Sequence, residues 1–171
     1  MPAHMEDGET YDLTYAYNKM LSNNRLSWHL EAHRKPKLRT YVKIHDFSGI
    51  QTLAKSKLSR YQRSLLSQLK FGILPLKIET DRYQGIPAEN RLCTICDLQV
   101  PEDELHFMFH CPALNSARNS AKEYFSHGEP QLHFGSDKIE TLKIMMTANY
   151  LQMSGKYIEA LYIERRNIIY K

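Results

Sequence analysis

Cysteine is scarce in this sequence, with three among 171 residues. So sparse and odd a set does not staple a small secreted scaffold, and a reducing compartment, nuclear or cytoplasmic, is expected. Glycine and proline are thin as well, at seven each, which excludes collagen-like or linker-like composition. No apolar run approaches the roughly 18 residues that span a bilayer, so no membrane partner is expected. Met1 to Glu9 is polar and acidic, unlike the apolar centre of a secretory signal. What the chain does have is 42% hydrophobic and 25% charged residues, enough apolar material for one domain with a core.

The formal charge of +4 averages two unlike regions. From Arg34 to Lys77 there are eleven basic residues and one acid, Asp46, a local charge of +10; the rest of the chain holds twelve basic and eighteen acidic residues, −6. Such asymmetry is the footprint of a face that meets phosphate, although a solvated helix face would carry it too. Within the window, Arg60, Arg63 and Lys70 recur at helical spacing, helped by Lys35, Lys37 and Arg39. These six are the candidate contacts to an RNA or DNA backbone.

Residues 1–9 read as a disordered tail. Thr10 to His33 is helix-compatible, with Leu13, Tyr17, Met20, Leu21 and Trp28 directed to a core. Leu38 to Ile44 alternates β-branched and aromatic residues with basic ones, which predicts a short extended segment. Ser56 to Phe71 is the clearest helix, with Leu58, Tyr61, Leu65 and Leu69 as its apolar stripe and Gly72 and Pro75 as its stop. Residues 74–90 read as irregular. Helices follow over Pro112–Ser126, over Ser136–Ala148 with Ser136 as N-cap, and over Lys156–Tyr170. The fold class is therefore mainly α: a helical region over 10–118, C-terminal helices over 119–171 packing on the same domain, and short extended segments.

The chemistry concentrates in residues 91–112. Cys93 and Cys96 stand two residues apart, the spacing at which one tight turn aims two sulfurs at one ion. His106, His110 and Cys111 follow. Two thiolates, an imidazole and a third thiolate form a closed tetrahedron of the donors Zn²⁺ prefers, a structural site with no open position. His110 is the alternative fourth ligand, since His106 and His110 could share one helix face. Pro112 favours Cys111, because it forces the preceding residue out of the α region and ends the helix near His110.

Other features have plainer readings. Glu102, Asp103 and Glu104 read as acids at a helix N-terminus, and Met145, Met146 and Met153 as core filler. Glu79 and Arg82 read as a local ion pair. Trp28, Tyr41, Tyr61 and Tyr83 interleave with basic residues, a pattern that serves base stacking but more often ordinary packing.

Lys37-Leu38-Arg39-Thr40-Tyr41, the run Gly72 to Tyr83, Arg91 to Cys96, Glu102 to Phe107 and His110-Cys111-Pro112 together resemble the zinc-binding domain downstream of reverse transcriptase in LINE-type (non-LTR) retrotransposons. The resemblance spans about residues 28–118. It implies one zinc on Cys93, Cys96, His106 and Cys111, and a non-catalytic tail of a retroelement polyprotein. That tail would grip template or target nucleic acid beside a reverse transcriptase domain. The aspartate pair a polymerase needs for two metals is missing, since no two aspartates lie within four positions. The alternative is a structural zinc domain for protein–protein interaction, without nucleic-acid affinity.

Overall fold

The computed structural model describes residues 13–44, 53, 56–126, 132 and 134–171. The tail expected over 1–9 lies outside them, as do Lys55 and the side chain of Leu13. The fold is mainly helical. Among the described residues there is no strand, only an isolated antiparallel bridge between Leu92 and Pro101. None of their helices is long and apolar enough to cross a membrane.

Helix α1 (Leu13–His33) runs for 21 residues. Ala32 is buried and Trp28 packs edge-on to Tyr41, with ring centroids 5.7 Å apart. Tyr17 and Met20, expected in the core, are 57% and 50% exposed, and Tyr15, Leu26 and Leu30 are exposed with them. Helix α2 (Arg39–Ile44) replaces the extended segment expected there. Its buried residues Thr40, Tyr41 and Ile44 recur at helical spacing, so burial of one face overrides the β preference of the branched residues.

Helix α3 (Arg60–Lys70) opens on a capping box. Ser59 Oγ accepts from the Gln62 N–H at 3.1 Å, and Gln62 Oε1 accepts from the Ser59 N–H at 3.2 Å. Leu65, Leu66 and Leu69 are buried as the stripe requires, while Tyr61 is exposed. The stretch expected to be irregular contains a one-turn helix α4 (Lys77–Thr80) and two 3₁₀ turns, Asp81–Gln84 and Ala88–Asn90.

After the 3₁₀ turn Pro112–Leu114 come α5 (Asn115–Ser126), α6 (Lys138–Met145) and α7 (Leu151–Ile169). Asp137, not Ser136, caps α6: its carboxylate accepts from the Ile139 and Glu140 N–H groups at 2.9 and 3.0 Å. Helix α7 packs on both α3 and α5, and Tyr157, Ile158 and Leu161 on it are fully buried. Gly155 permits the approach to α3, since a Cβ there would lie 2.5 Å from Leu58 Cδ2 and 3.2 Å from Gln62 Cβ. Met145 is fully buried, and Met146 and Met153 pack against the same core.

Lys70 ends α3 at 3% exposure, with its ammonium 5.5 Å from the Tyr41 ring centroid. Burial lowers its pKa from 10.5 to about 8. Between those values the unfolded chain holds more protons than the folded one, so this group makes stability rise with pH across the window. We expect Lys70→Met to raise stability at neutral pH by about 1–3 kcal/mol and to flatten that rise. Urea unfolding at pH 7 and pH 10 measures both effects.

Candidate metal centre

The site begins as a knuckle. The Glu102 N–H donates to Arg91 O at 3.0 Å and the Cys93 N–H to Val100 O at 2.9 Å, closing a loop in which Gln99, next to the closing Val100, takes a left-handed φ of 53°. Cys93 and Cys96 therefore sit on one tight turn. Asp103 Oδ1 then accepts from the His106 N–H at 2.7 Å, which starts the next element. That element is a π-helical turn, His106–His110, closed by the Cys111 N–H donating to His106 O at 2.8 Å.

The wide turn selects the ligand. An α-helix places residue i+4 above residue i, which would favour His110 over His106. The i→i+5 bond instead returns the chain above His106 at Cys111. Cys111 is extended (φ −61°, ψ 115°) in front of Pro112, as the proline demands. Cys111 is 1% exposed, whereas His110 faces solvent and stands outside the cluster.

The donor atoms of Cys93, Cys96, His106 and Cys111 all lie within 4.8 Å of one another. Cys93 Sγ is 3.9 Å from Cys111 Sγ, and Cys96 Sγ is 3.4 Å from His106 Nε2. A tetrahedral ion with metal–sulfur bonds near 2.3 Å and metal–nitrogen bonds near 2.05 Å sets sulfurs about 3.8 Å apart and sulfur and nitrogen about 3.6 Å apart. The residues fit a single metal ion. The contact with Cys111 and burial push the Cys93 thiol up to about 12, and the same contact draws Cys111 down. A cation at the centre lets all three thiols give up their protons.

Residues overlooked in the sequence hold this arrangement in place. Arg118, 3% exposed, donates from Nε to Met108 O at 3.1 Å and from Nη2 to Cys111 O at 2.9 Å, and Tyr157 Oη donates to Met108 O at 2.8 Å. These bonds satisfy carbonyls that the end of a helical turn leaves open. The acids do stand at a helix start, as the sequence suggested, with Asp103 capping it, but Glu102 and Glu104 are buried there in ion pairs rather than left to the helix end alone. Arg165 Nε and Nη2 grip the Glu102 carboxylate at 2.6 and 2.8 Å, and Arg39 Nε donates to Glu104 at 3.1 Å. Spacing along the chain gave no signal for these pairs, whose members lie 63 and 65 residues apart.

The six cations assigned to phosphate divide in two. Lys35, Lys37 and Arg60 are exposed. Arg39 is committed to Glu104, and Arg63 donates from Nη2 to Ser56 O and Leu58 O at 3.1 and 3.4 Å. Lys70 is buried. The basic stripe on α3 is thus not one solvent-facing row: Arg63 and Lys70 turn inward to the start and the base of their own helix. The pair expected at Glu79 is present, with Arg82 donating from Nη2 at 2.8 Å and Nε at 3.1 Å.

No protein-family model matches the chain, and no curated protein or solved structure matches it.

His110→Ala is expected to keep its metal, while His106→Ala and Cys111→Ser lose it together with a large part of the helical circular dichroism. Metal analysis of protein purified without chelator reads the first effect. A metal-free His110→Ala protein would restore His110 as the ligand.

Proposed function

We propose that this chain is a zinc-stabilised module that grips the backbone of a nucleic acid without catalysing chemistry, of the kind its sequence resembles in LINE-type retrotransposons. The observation that carries the zinc assignment is the Cys₃His donor set, gathered within 4.8 Å. Three thiolates and an imidazole are borderline-soft donors, and a filled tetrahedron of them is the usual structural site for Zn²⁺. When bound, the ion supplies folding energy, of the order of 10–16 kcal/mol in zinc-finger peptides. The chain's own residues do the rest: Arg118 and Tyr157 hold the π-turn, and Glu102 ties the knuckle to α7.

Support for the phosphate grip comes from the cations that remain free of the interior. Arg34, Lys35, Lys37, Lys43, Lys57 and Arg60 are exposed within the basic window. Cations of this kind contact phosphate without reading sequence. A second reading, a module for a protein partner, is favoured by one observation: the apolar residues that α1 leaves exposed, among them Tyr17, Met20 and Leu26.

Three to six phosphate contacts give a log–log salt slope of about −2 to −4 on single strands. Lys35→Glu with Lys37→Glu should weaken binding to all sequences alike and make the slope shallower by about 1.4. Fluorescence anisotropy across a salt series measures this. If RNA and DNA both fail to bind at low salt, the protein-partner reading takes over. Visible spectra of the Co²⁺-substituted protein test the site separately, since intense d–d bands report a tetrahedral, thiolate-rich centre.

A further inference from the structure

The end of α3 carries a feature that neither the metal site nor the phosphate contacts use. The helix closes in a Schellman motif, with the Gly72 N–H donating to Leu69 O at 3.2 Å and the Ile73 N–H to Gln68 O at 2.9 Å. Gly72 takes the left-handed conformation this cap requires, at φ 63°. In such a cap the residue after the glycine usually folds its side chain back onto the helix. Here Ile73 remains 44% exposed, and Phe71 beside it is 37% exposed.

Phe71 is exposed but not loose. Its ring stacks on Tyr41 with centroids 5.2 Å apart and planes inclined by 12°. Tyr41 is itself 5% exposed and packs edge-on against Trp28. An aromatic ring supported from beneath and partly open to solvent is held in place to accept a second stacking partner.

The surroundings of this ring indicate what kind of group would fit on it. A Cβ on Gly72 would lie 2.5 Å from Lys37 O, so the cap is pressed against the turn that carries Lys35 and Lys37. Both lysines are exposed, as is Arg34 just before them. A π-face and an aliphatic neighbour beside a cluster of cations match a base flanked by its phosphates. A protein partner would have to bring an apolar group ringed by acids to the same place. A duplex keeps its bases stacked inside, where Phe71 cannot reach them.

We propose that Phe71, backed by Tyr41 and flanked by Ile73, is a base-stacking platform, and that the nucleic acid this module binds there is single-stranded. The inference rests on the nucleic-acid reading above and sharpens it. Lys35 and Lys37 hold the phosphates on either side of the stacked base. The sugar makes no contact this geometry distinguishes, so RNA and DNA strands are both accommodated.

The test compares the intact chain on labelled oligouridylate, oligothymidylate and a duplex of the same length, all at low salt. Both single strands should bind more tightly than the duplex. Phe71→Ala should weaken single-strand binding by about tenfold, with the salt slope unchanged. Phe71→Leu keeps the apolar volume and should lose nearly as much, whereas Phe71→Trp keeps the stack and should bind as the parent does. Thermal melts that match the parent show that each variant is folded, and the Trp variant serves as the readout where Phe71→Ala does not fold. Equal binding to duplex and single strand, unaffected by Phe71→Leu, would overturn the platform and leave the phosphate grip standing. Failure of every oligonucleotide to bind the parent chain would overturn both.

Discussion

A carboxylate at 1% exposure is tolerable only if its oxygens meet donors, and Glu102 is such a group. Arg165 takes both oxygens from α7, and the Lys77 N–H, at the start of α4, donates to one of them at 2.8 Å. The Glu102 carbonyl accepts in turn from the Ile78 N–H at 3.2 Å. One residue thus joins the knuckle, a one-turn helix and the helix at the centre of the core. Cys93 and Cys96 lie before it and His106 and Cys111 after it. The four donors belong to a segment pinned at its middle, which is why a stretch with so little repeating structure can hold them in register.

A second buried acid, Glu79, uses the same logic on a smaller scale. Burial alone would raise its pKa, but hydrogen bonds from Arg82 and Tyr83 and the charges of Arg82 and Arg39 outweigh it and hold the carboxylate below its ordinary value. Its contribution to stability is present at neutral pH and is lost as pH falls through that lowered value. The acids of this region therefore serve cohesion: Glu79, Glu102 and Glu104 are each almost fully buried, and each meets an arginine from elsewhere in the chain or one turn away.

The metal site was the most legible part of the sequence because its information is local. The Cys93–Cys96 spacing needs one turn, and Pro112 alone settles the backbone of Cys111. Even so, the reason Cys111 returns over His106 is a π-turn, which no residue pattern announces. The apolar stripe of α3 was legible for a similar reason, since periodicity is a short-range signal, although its Tyr61 faces solvent. Charge was less readable. Arg39 and Lys70 have the same sequence signature as Lys35 and Arg60, yet the first two are spent inside the fold. Whether a basic side chain meets water or a carboxylate 65 residues away is decided by packing that its neighbours do not encode. Tyr17 and Met20 illustrate the reverse case: core residues expected of a helix are exposed, because α1 meets the body mainly through its last turns.

The internal use of Arg39 also bears on how the two candidate surfaces relate. Arg39 donates to Glu104, two residues before His106, and from Nη2 to Gly72 O at 3.3 Å, next to Phe71. The same side chain therefore touches the entry to the metal-binding turn and the cap that presents the exposed ring. A metal ion that fixes His106 restricts Glu104 through two peptide units, and Glu104 in turn restricts Arg39 and the carbonyl of Gly72. Removing a partner from such a buried pair leaves an uncompensated charge, so the arrangement holds as a unit. On this view the metal centre need not touch nucleic acid to matter for binding. A bound ion would act by keeping Arg39 and Glu104 in register, so that the ring of Phe71 and the turn of Lys35 and Lys37 stay at the separation set by Gly72.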